Sequence, residues 1–103
     1  MAHLILGSRE WVLTEGANLV GRDHDCTVRV DSSAVSRHHA RIVVTGGRAT
    51  VEELDSKNGT RVNGQGVERP VTLKNGDEIQ VGSVTLTYRL PARLPSTLTR
   101  LRT

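Results

Sequence analysis

The chain has 103 residues, the size of one globular domain, with 36% hydrophobic residues, 2% aromatic residues and no Phe, so a single core built from Val, Leu and Ile is expected. No apolar run approaches the ~18 to 20 residues of a membrane span, and residues 1–6 are too short and lack the basic start of a secretory leader, which points to a soluble, cytoplasmic chain with no membrane partner. The formal charge of +3 suggests a polyanionic partner until it is divided along the chain: residues 1–90 hold eleven residues of each sign, and the excess is Arg93, Arg100 and Arg102.

In chain order, β-branched segments at residues 9–14, 18–20, 27–30, 42–45, 49–51, 60–62, 78–81 and 84–88 read as strands. They are punctuated by Gly46-Gly47, Asn58-Gly59, Asn63-Gly64 and Asn75-Gly76, dipeptides suited to tight turns with positive φ. Asn63-Gly64 and Asn75-Gly76 are expected to turn hairpins, and Asn58-Gly59 to combine a turn with a second role. The final segment alternates with period two, Val84, Leu86 and Tyr88 on one face against Thr85 and Thr87 on the other, as a half-buried strand does. No window before residue 92 carries helical periodicity. The expected fold is all-β, a β-sandwich of two twisted, mainly antiparallel sheets with short strands and its functional loops at one end. The lone Cys26 cannot form an internal disulfide and is expected as a buried thiol beside Val28.

After Leu90 the texture changes to Pro91, Pro95 and Ser96 with several Thr and no acidic residue. A domain over residues 1–90 and a basic tail or linker over 91–103 are therefore expected. Leu94, Leu98 and Leu101 are spaced as at the start of a short helix, and Thr97, Thr99 and Thr103 offer phosphorylation sites through which the tail could bind its own domain or a neighbouring copy.

Three segments carry polar residues that strand packing does not require. They are Gly21-Arg22-Asp23-His24-Asp25, the stretch from Asp31 to His39, and Leu54-Asp55-Ser56-Lys57-Asn58-Gly59-Thr60. Gly21-Arg22, Ser36-Arg37-His38-His39, Ser56-Lys57-Asn58-Gly59-Thr60 followed by Asn63-Gly64, and Asn75-Gly76-Asp77-Glu78-Ile79 before Val81-Gly82 occur in that order. On these motifs the stretch from Val20 to Val81 resembles the forkhead-associated (FHA) domains, β-sandwiches that bind phosphothreonine peptides.

The resemblance implies a non-enzymatic recognition module whose partners are a phosphothreonine-containing protein and an upstream Ser/Thr kinase. The residue types suit that ligand. A phosphothreonine carries a charge of about −1.5 to −2 and three strong acceptor oxygens, which call for a guanidinium, a short hydroxyl and further cationic or backbone donors. By resemblance Arg22 supplies the guanidinium and Ser36 the hydroxyl, Arg37 and Lys57 flank the phosphate, and Asn58 uses its amide to satisfy the backbone of an extended peptide. Gly21, His39, Ser56 and Gly59 support the loops. Ala34 stands where some family members carry an arginine that selects an acidic residue three positions beyond the phosphothreonine, so no such selection is expected by that route, and Arg61 or Arg37 offers another. Preference for phosphothreonine over phosphoserine requires a small apolar pocket for one methyl, worth about 0.8 kcal/mol from area alone.

Other chemistries find little support. Ser36, His39 and Asp55 are the residue types of a hydrolase triad, but no nucleophile elbow or oxyanion-hole motif accompanies them. His24, Cys26, His38 and His39 show no paired spacing of a structural zinc site, so neither metal nor cofactor is expected. Asn58-Gly59-Thr60 is formally a glycosylation sequon without a secretory leader. Two rival functions remain: contact with a partner through the sheet face without phosphate, and nucleic-acid binding. The second is disfavoured by the neutral body and by Trp11 and Tyr88 being the only aromatic residues.

Overall fold

The computed structural model describes residues 1–91. The tail from residue 92, with the leucine spacing and the threonines noted above and any self-association through them, lies outside the described residues. Among the described residues eleven strands form: β1 (His3–Leu6), β2 (Arg9–Val12), β3 (Gly16–Gly21), β4 (Val28–Arg29), β5 (Ala40–Thr45), β6 (Arg48–Glu53), β7 (Thr60–Val62), β8 (Gln65–Gly66), β9 (Val71–Thr72), β10 (Glu78–Val81) and β11 (Val84–Arg89). They make a six-stranded sheet in the order β2-β1-β11-β10-β7-β8 and a five-stranded sheet in the order β4-β3-β5-β6-β9. Every pairing is antiparallel except β3 with β4.

The two sheets pack as a sandwich because alternate residues of each strand point inward. Leu4, Ile79, Val81, Leu86 and Tyr88 from the first sheet meet Val20, Val28, Ile42 and Val51 from the second, all at most 1% exposed. The alternation expected in the last strand is present: Leu86 and Tyr88 are buried, Val84 is half-buried and Thr85 is exposed. Fully burying each of these aliphatic side chains contributes roughly 1.5 to 3 kcal/mol, so the core holds without Phe. Cys26 is free and 8% exposed, as expected.

Three strands were not among those expected. β1 carries apolar side chains at consecutive positions, Leu4 inward and Ile5 opposite Thr87 and Glu10, so it shows no alternation. β8 and β9 have two residues each, too few to carry a pattern. The turn dipeptides also divide. Asn63-Gly64 is the two-residue loop of the β7–β8 hairpin, with φ of 50° and 87° as a type I′ turn requires. Asn75-Gly76, by contrast, leads from β9 to β10, and Asn58-Gly59 ends the path from β6 to β7; both paths cross from the second sheet to the first. Neither closes a hairpin, because the strands they join are not hydrogen-bonded to each other.

Strand direction decides where the polar loops go. β3 and β6 run toward one end of the sandwich, β5 and β7 leave it, and β10 returns to it. Residues 22–27, 31–39 and 54–59 and the turn at Gly82-Ser83 therefore gather at that end.

Candidate functional site

The site is built on close backbone approaches. Gly21, the last residue of β3, is buried, and a Cβ there would lie 2.0 Å from the Arg37 carbonyl oxygen. Only glycine lets these two chains touch. The contact places Arg22 N–H on the Ser36 carbonyl at 3.0 Å and Asp23 N–H on the Arg37 carbonyl at 3.1 Å. His39 N–H donates to the Val20 carbonyl at 2.8 Å. The loop after β3 and the loop before β5 are thus fixed to each other.

Arg22 is oriented by the same contact. Its Nε donates to the Val35 carbonyl at 3.0 Å, which anchors the inner edge of the half-buried guanidinium. Among the described residues no carboxylate lies within ion-pair distance of it. Asp23 and Asp25 instead face His38, whose Nε2 is 2.9 Å from Asp25 Oδ1 and 3.6 Å from Asp23 Oδ2. A guanidinium held at one nitrogen without a counter-ion is available to an external anion.

His39 joins the second loop to the third. It is fully buried, and its Nδ1 accepts from Ser36 N–H at 3.0 Å. That bond places the ring proton on Nε2, which donates to the Gly59 carbonyl at 2.7 Å. Ser36 Oγ in turn accepts from Lys57 N–H at 3.0 Å, and Asn58 Nδ2 donates to the Ala34 carbonyl at 2.8 Å. The Ala34 backbone is also pressed by Gly82 in the β10–β11 turn, where a Cβ would lie 2.2 Å from the Ala34 oxygen and where φ is +60°. An L side chain at Gly82 meets both a clash and a strained backbone.

Beneath the third loop lies Glu53, which the sequence did not single out. Its carboxylate accepts from Ser56 N–H, from Ser56 Oγ at 3.1 Å and from Thr60 Oγ1 at 2.5 Å. Ser56 Oγ also accepts from Gly59 N–H at 2.9 Å. Burial pushes the Glu53 carboxyl up, but the hydrogen bonds from Thr60 and Ser56 outweigh it and hold the group below its ordinary value. The sign that could have marked Glu53 is its spacing, a carboxylate three residues before Ser56 and seven before Thr60. Gly82 had no such sign, because its partner Ala34 is distant in sequence. The Cys26 thiol goes the other way: burial, with help from Asp25 and Asp23, raises it.

Arg22, Ser36, Arg37, Lys57 and Asn58 thus come from three loops to one end of the sandwich, with Arg37, Lys57 and Asn58 exposed. Gly21, His39 and Gly59 lie beneath or between them in bonds or contacts that join the loops, while Ser56 bonds within the third loop, to Glu53 and Gly59. Ala34 sits among them through its carbonyl. Arg61 stands apart on β7, on the flank of an open cleft of about 320 Å³ that it shares with Glu53, Asn58, Gly66 and Glu68. The ensemble offers a guanidinium, a hydroxyl, an amide and two exposed cations around a surface that can take an anionic group on an extended chain.

Similarity to known proteins agrees with this arrangement. The model of the FHA domain matches residues 18–82. The transcriptional regulatory protein EmbR of Mycobacterium tuberculosis is 38% identical over 90 residues, covering 87% of this chain and 23% of EmbR. The glycogen accumulation regulator GarA of Mycolicibacterium smegmatis is 39% identical over 82 residues, 80% of this chain and 51% of GarA. This chain therefore spans at most about half of either relative. EmbR solved in complex with a low-affinity phosphopeptide superposes with a TM-score of 0.81 at 37% identity, over 89% of this chain and 25% of that one. A structure from an analysis of phosphothreonine-dependent FHA domain interactions gives a TM-score of 0.84 at 34% identity, over 89% of this chain and 98% of that one. The fold, the order of the loop motifs and these similarities together place the chain in the FHA domain family.

Proposed function

We propose that residues 1–90 are a non-enzymatic module that binds a phosphothreonine peptide of a partner protein in Ser/Thr kinase signalling, in the cytoplasm. The observation that carries this reading is Arg22, anchored through Nε to Val35, without a carboxylate partner among the described residues, and tied by its backbone to Ser36. In this reading the Arg22 guanidinium and Ser36 Oγ take the phosphate, Arg37 and Lys57 add charge or backbone donors, and Asn58 exchanges its bond to Ala34 for the peptide backbone. The complex of EmbR with a phosphopeptide and the phosphothreonine dependence of the FHA interactions named above support it. Each charge-assisted hydrogen bond to the phosphate contributes roughly 1.5 to 3 kcal/mol. Two of them separate binding from its absence at cellular concentrations.

The test is a titration of a degenerate phosphothreonine peptide library, its unphosphorylated twin and an oligonucleotide against the protein and against Arg22→Ala. The phosphorylated library binds, the twin does not, and Arg22→Ala loses about 100-fold or more, the equivalent of two charge-assisted bonds. Equal binding of both libraries would mean a phosphate-independent surface instead. Dominant binding of the oligonucleotide would favour the nucleic-acid reading, although Tyr88, at 1% exposure, cannot serve as a stacking platform. Ala34 carries no cation, so selection at the third residue after the phosphothreonine is weak for Asp and Glu; a peptide array with a dominant Asp there would contradict this.

A further inference from the structure

The loop that carries Arg22 and the loop that carries Ser36 and Arg37 meet a second time, away from the guanidinium, through side chains that the phosphate reading does not use. Asp25 and Cys26 come from the first loop and His38 from the second. Their donor atoms, a carboxylate oxygen, Sγ and an imidazole nitrogen, all lie within 4.8 Å of one another. Asp23 adds a fourth oxygen, Oδ2, 3.6 Å from His38 Nε2, while its Oδ1 is occupied by His24 N–H.

We propose that Asp25, Cys26 and His38, with Asp23 as the fourth donor, form a binding site for a zinc-like divalent transition-metal ion. Donors in a tetrahedral zinc site stand about 2.0 to 2.3 Å from the ion, which places neighbouring donors roughly 3.3 to 3.7 Å apart. The 3.6 Å from His38 Nε2 to Asp23 Oδ2 falls in that range, and the 2.9 Å to Asp25 Oδ1 is a hydrogen bond that lengthens when an ion replaces its proton. Cys26 Sγ lies within 4.8 Å of both the Asp25 and the His38 donor atoms. A thiolate and an imidazole select a borderline-soft ion over calcium or magnesium, which prefer all-oxygen shells.

The metal-free contacts are compatible with exchange. Cys26 Sγ donates to the Arg37 carbonyl at 3.2 Å, and that carbonyl keeps a hydrogen bond from Asp23 N–H at 3.1 Å when the thiol proton leaves. His38 and Asp25 are exposed, so the ion has an open path. The donors escape a sequence reading because Cys26 and His38 are twelve residues apart on different loops, and the paired spacing of a zinc motif is absent. Bound there, the ion would cross-link the two loops whose backbones already meet at Gly21 and Arg37.

The test uses the 103-residue chain under a non-thiol reductant, titrated with Zn²⁺ by calorimetry and with Co²⁺ by absorption spectroscopy. One ion binds per chain, and Co²⁺ develops a thiolate-to-metal charge-transfer band. Cys26→Ser abolishes the band. His38→Ala and Asp25→Asn, both at exposed positions that do not support the core, each weaken Zn²⁺ binding at least tenfold, and His24→Ala leaves it unchanged. No band at saturating Co²⁺, binding that survives His38→Ala and Asp25→Asn, or an equal loss in His24→Ala overturns the proposal.

Discussion

Asn58-Gly59 and Asn63-Gly64 are the same dipeptide five residues apart, yet they sit at opposite ends of the sandwich and are held in different ways. Asn63 spends its side chain on local structure: Nδ2 donates to Asp77 Oδ1 at 3.0 Å and Oδ1 accepts from Glu78 N–H at 3.0 Å, with the backbone at a φ of 50°. Asn58 reaches 24 residues away to the Ala34 carbonyl with one N–H, and its side chain is exposed. The same division runs through both ends. At the far end the buried Asn18 is saturated: its amide donates to the Thr14, Gly16 and Ile42 carbonyls and accepts from Thr14 N–H. At the near end long loops are fixed at their bases by Gly21, His39 and Glu53, and the side chains above them are left with unused donors. The far end thus spends its polar side chains on local structure, while the near end leaves donors free above a fixed base.

The comparison breaks first where the near end is itself structural. Gly21→Ala places a methyl 2.0 Å from the Arg37 carbonyl and is expected to destabilise by about 3 kcal/mol, read as a lowered midpoint in urea. Because the strain sits where the first two loops meet, phosphopeptide binding falls with it. An unchanged midpoint would show that the loops separate without cost, and the rigid base described above would be wrong.

The two asparagines give the cleaner contrast. Asn58→Ala is expected to reduce phosphopeptide affinity about tenfold, or 1.4 kcal/mol, with stability within about 0.5 kcal/mol of the parent, the range of surface substitutions. Asn63→Ala does the reverse, costing about 1 to 2 kcal/mol of stability through the unpaired Asp77 and Glu78 groups and the positive φ, and leaving affinity intact. Calorimetric titration and urea unfolding of both variants separate the two ends. If both asparagines moved the same quantity, the division of labour would fail.

Much of this was legible before any coordinates. β5, β6, β10 and β11 announce themselves by β-branched residues and by the Gly-Gly turn, and the three polar segments carry the motifs that resemble those of the FHA domains. What stayed hidden has a common cause, contact between residues far apart in sequence. The hairpin assumption for Asn75-Gly76 failed because its flanking strands join different sheets. Gly82 reads as an ordinary turn glycine until it is found against Ala34, and β1 reads as an unpatterned apolar run until Leu4 and Ile5 are seen on opposite faces. Arg22 was identified by its neighbours in sequence, whereas the anchor that orients it, the Val35 carbonyl, is visible only in three dimensions.

The smallest expected effect concerns the carboxylate under the third loop. Glu53 in the folded chain sits below its ordinary value of 4.5, because hydrogen bonds from Thr60 and Ser56 favour the charged form more than burial opposes it. The unfolded chain therefore takes up its proton at higher pH than the folded chain does. The resulting stabilisation is full above the unfolded value and is lost as pH falls through the folded one. Between pH 6 and pH 3, as the carboxyl protonates, the parent should thus lose a component of stability that Glu53→Gln lacks, so the difference between the two unfolding free energies narrows toward acid. Stability rather than affinity is the right readout, since the phosphate's own second ionisation near pH 6 alters binding over the same range. A difference that stays constant with pH would mean that shape alone, and not the charge of Glu53, holds residues 54–59 in place. The near end would then need no half-buried carboxylate to keep Lys57 N–H on Ser36 and Asn58 on Ala34.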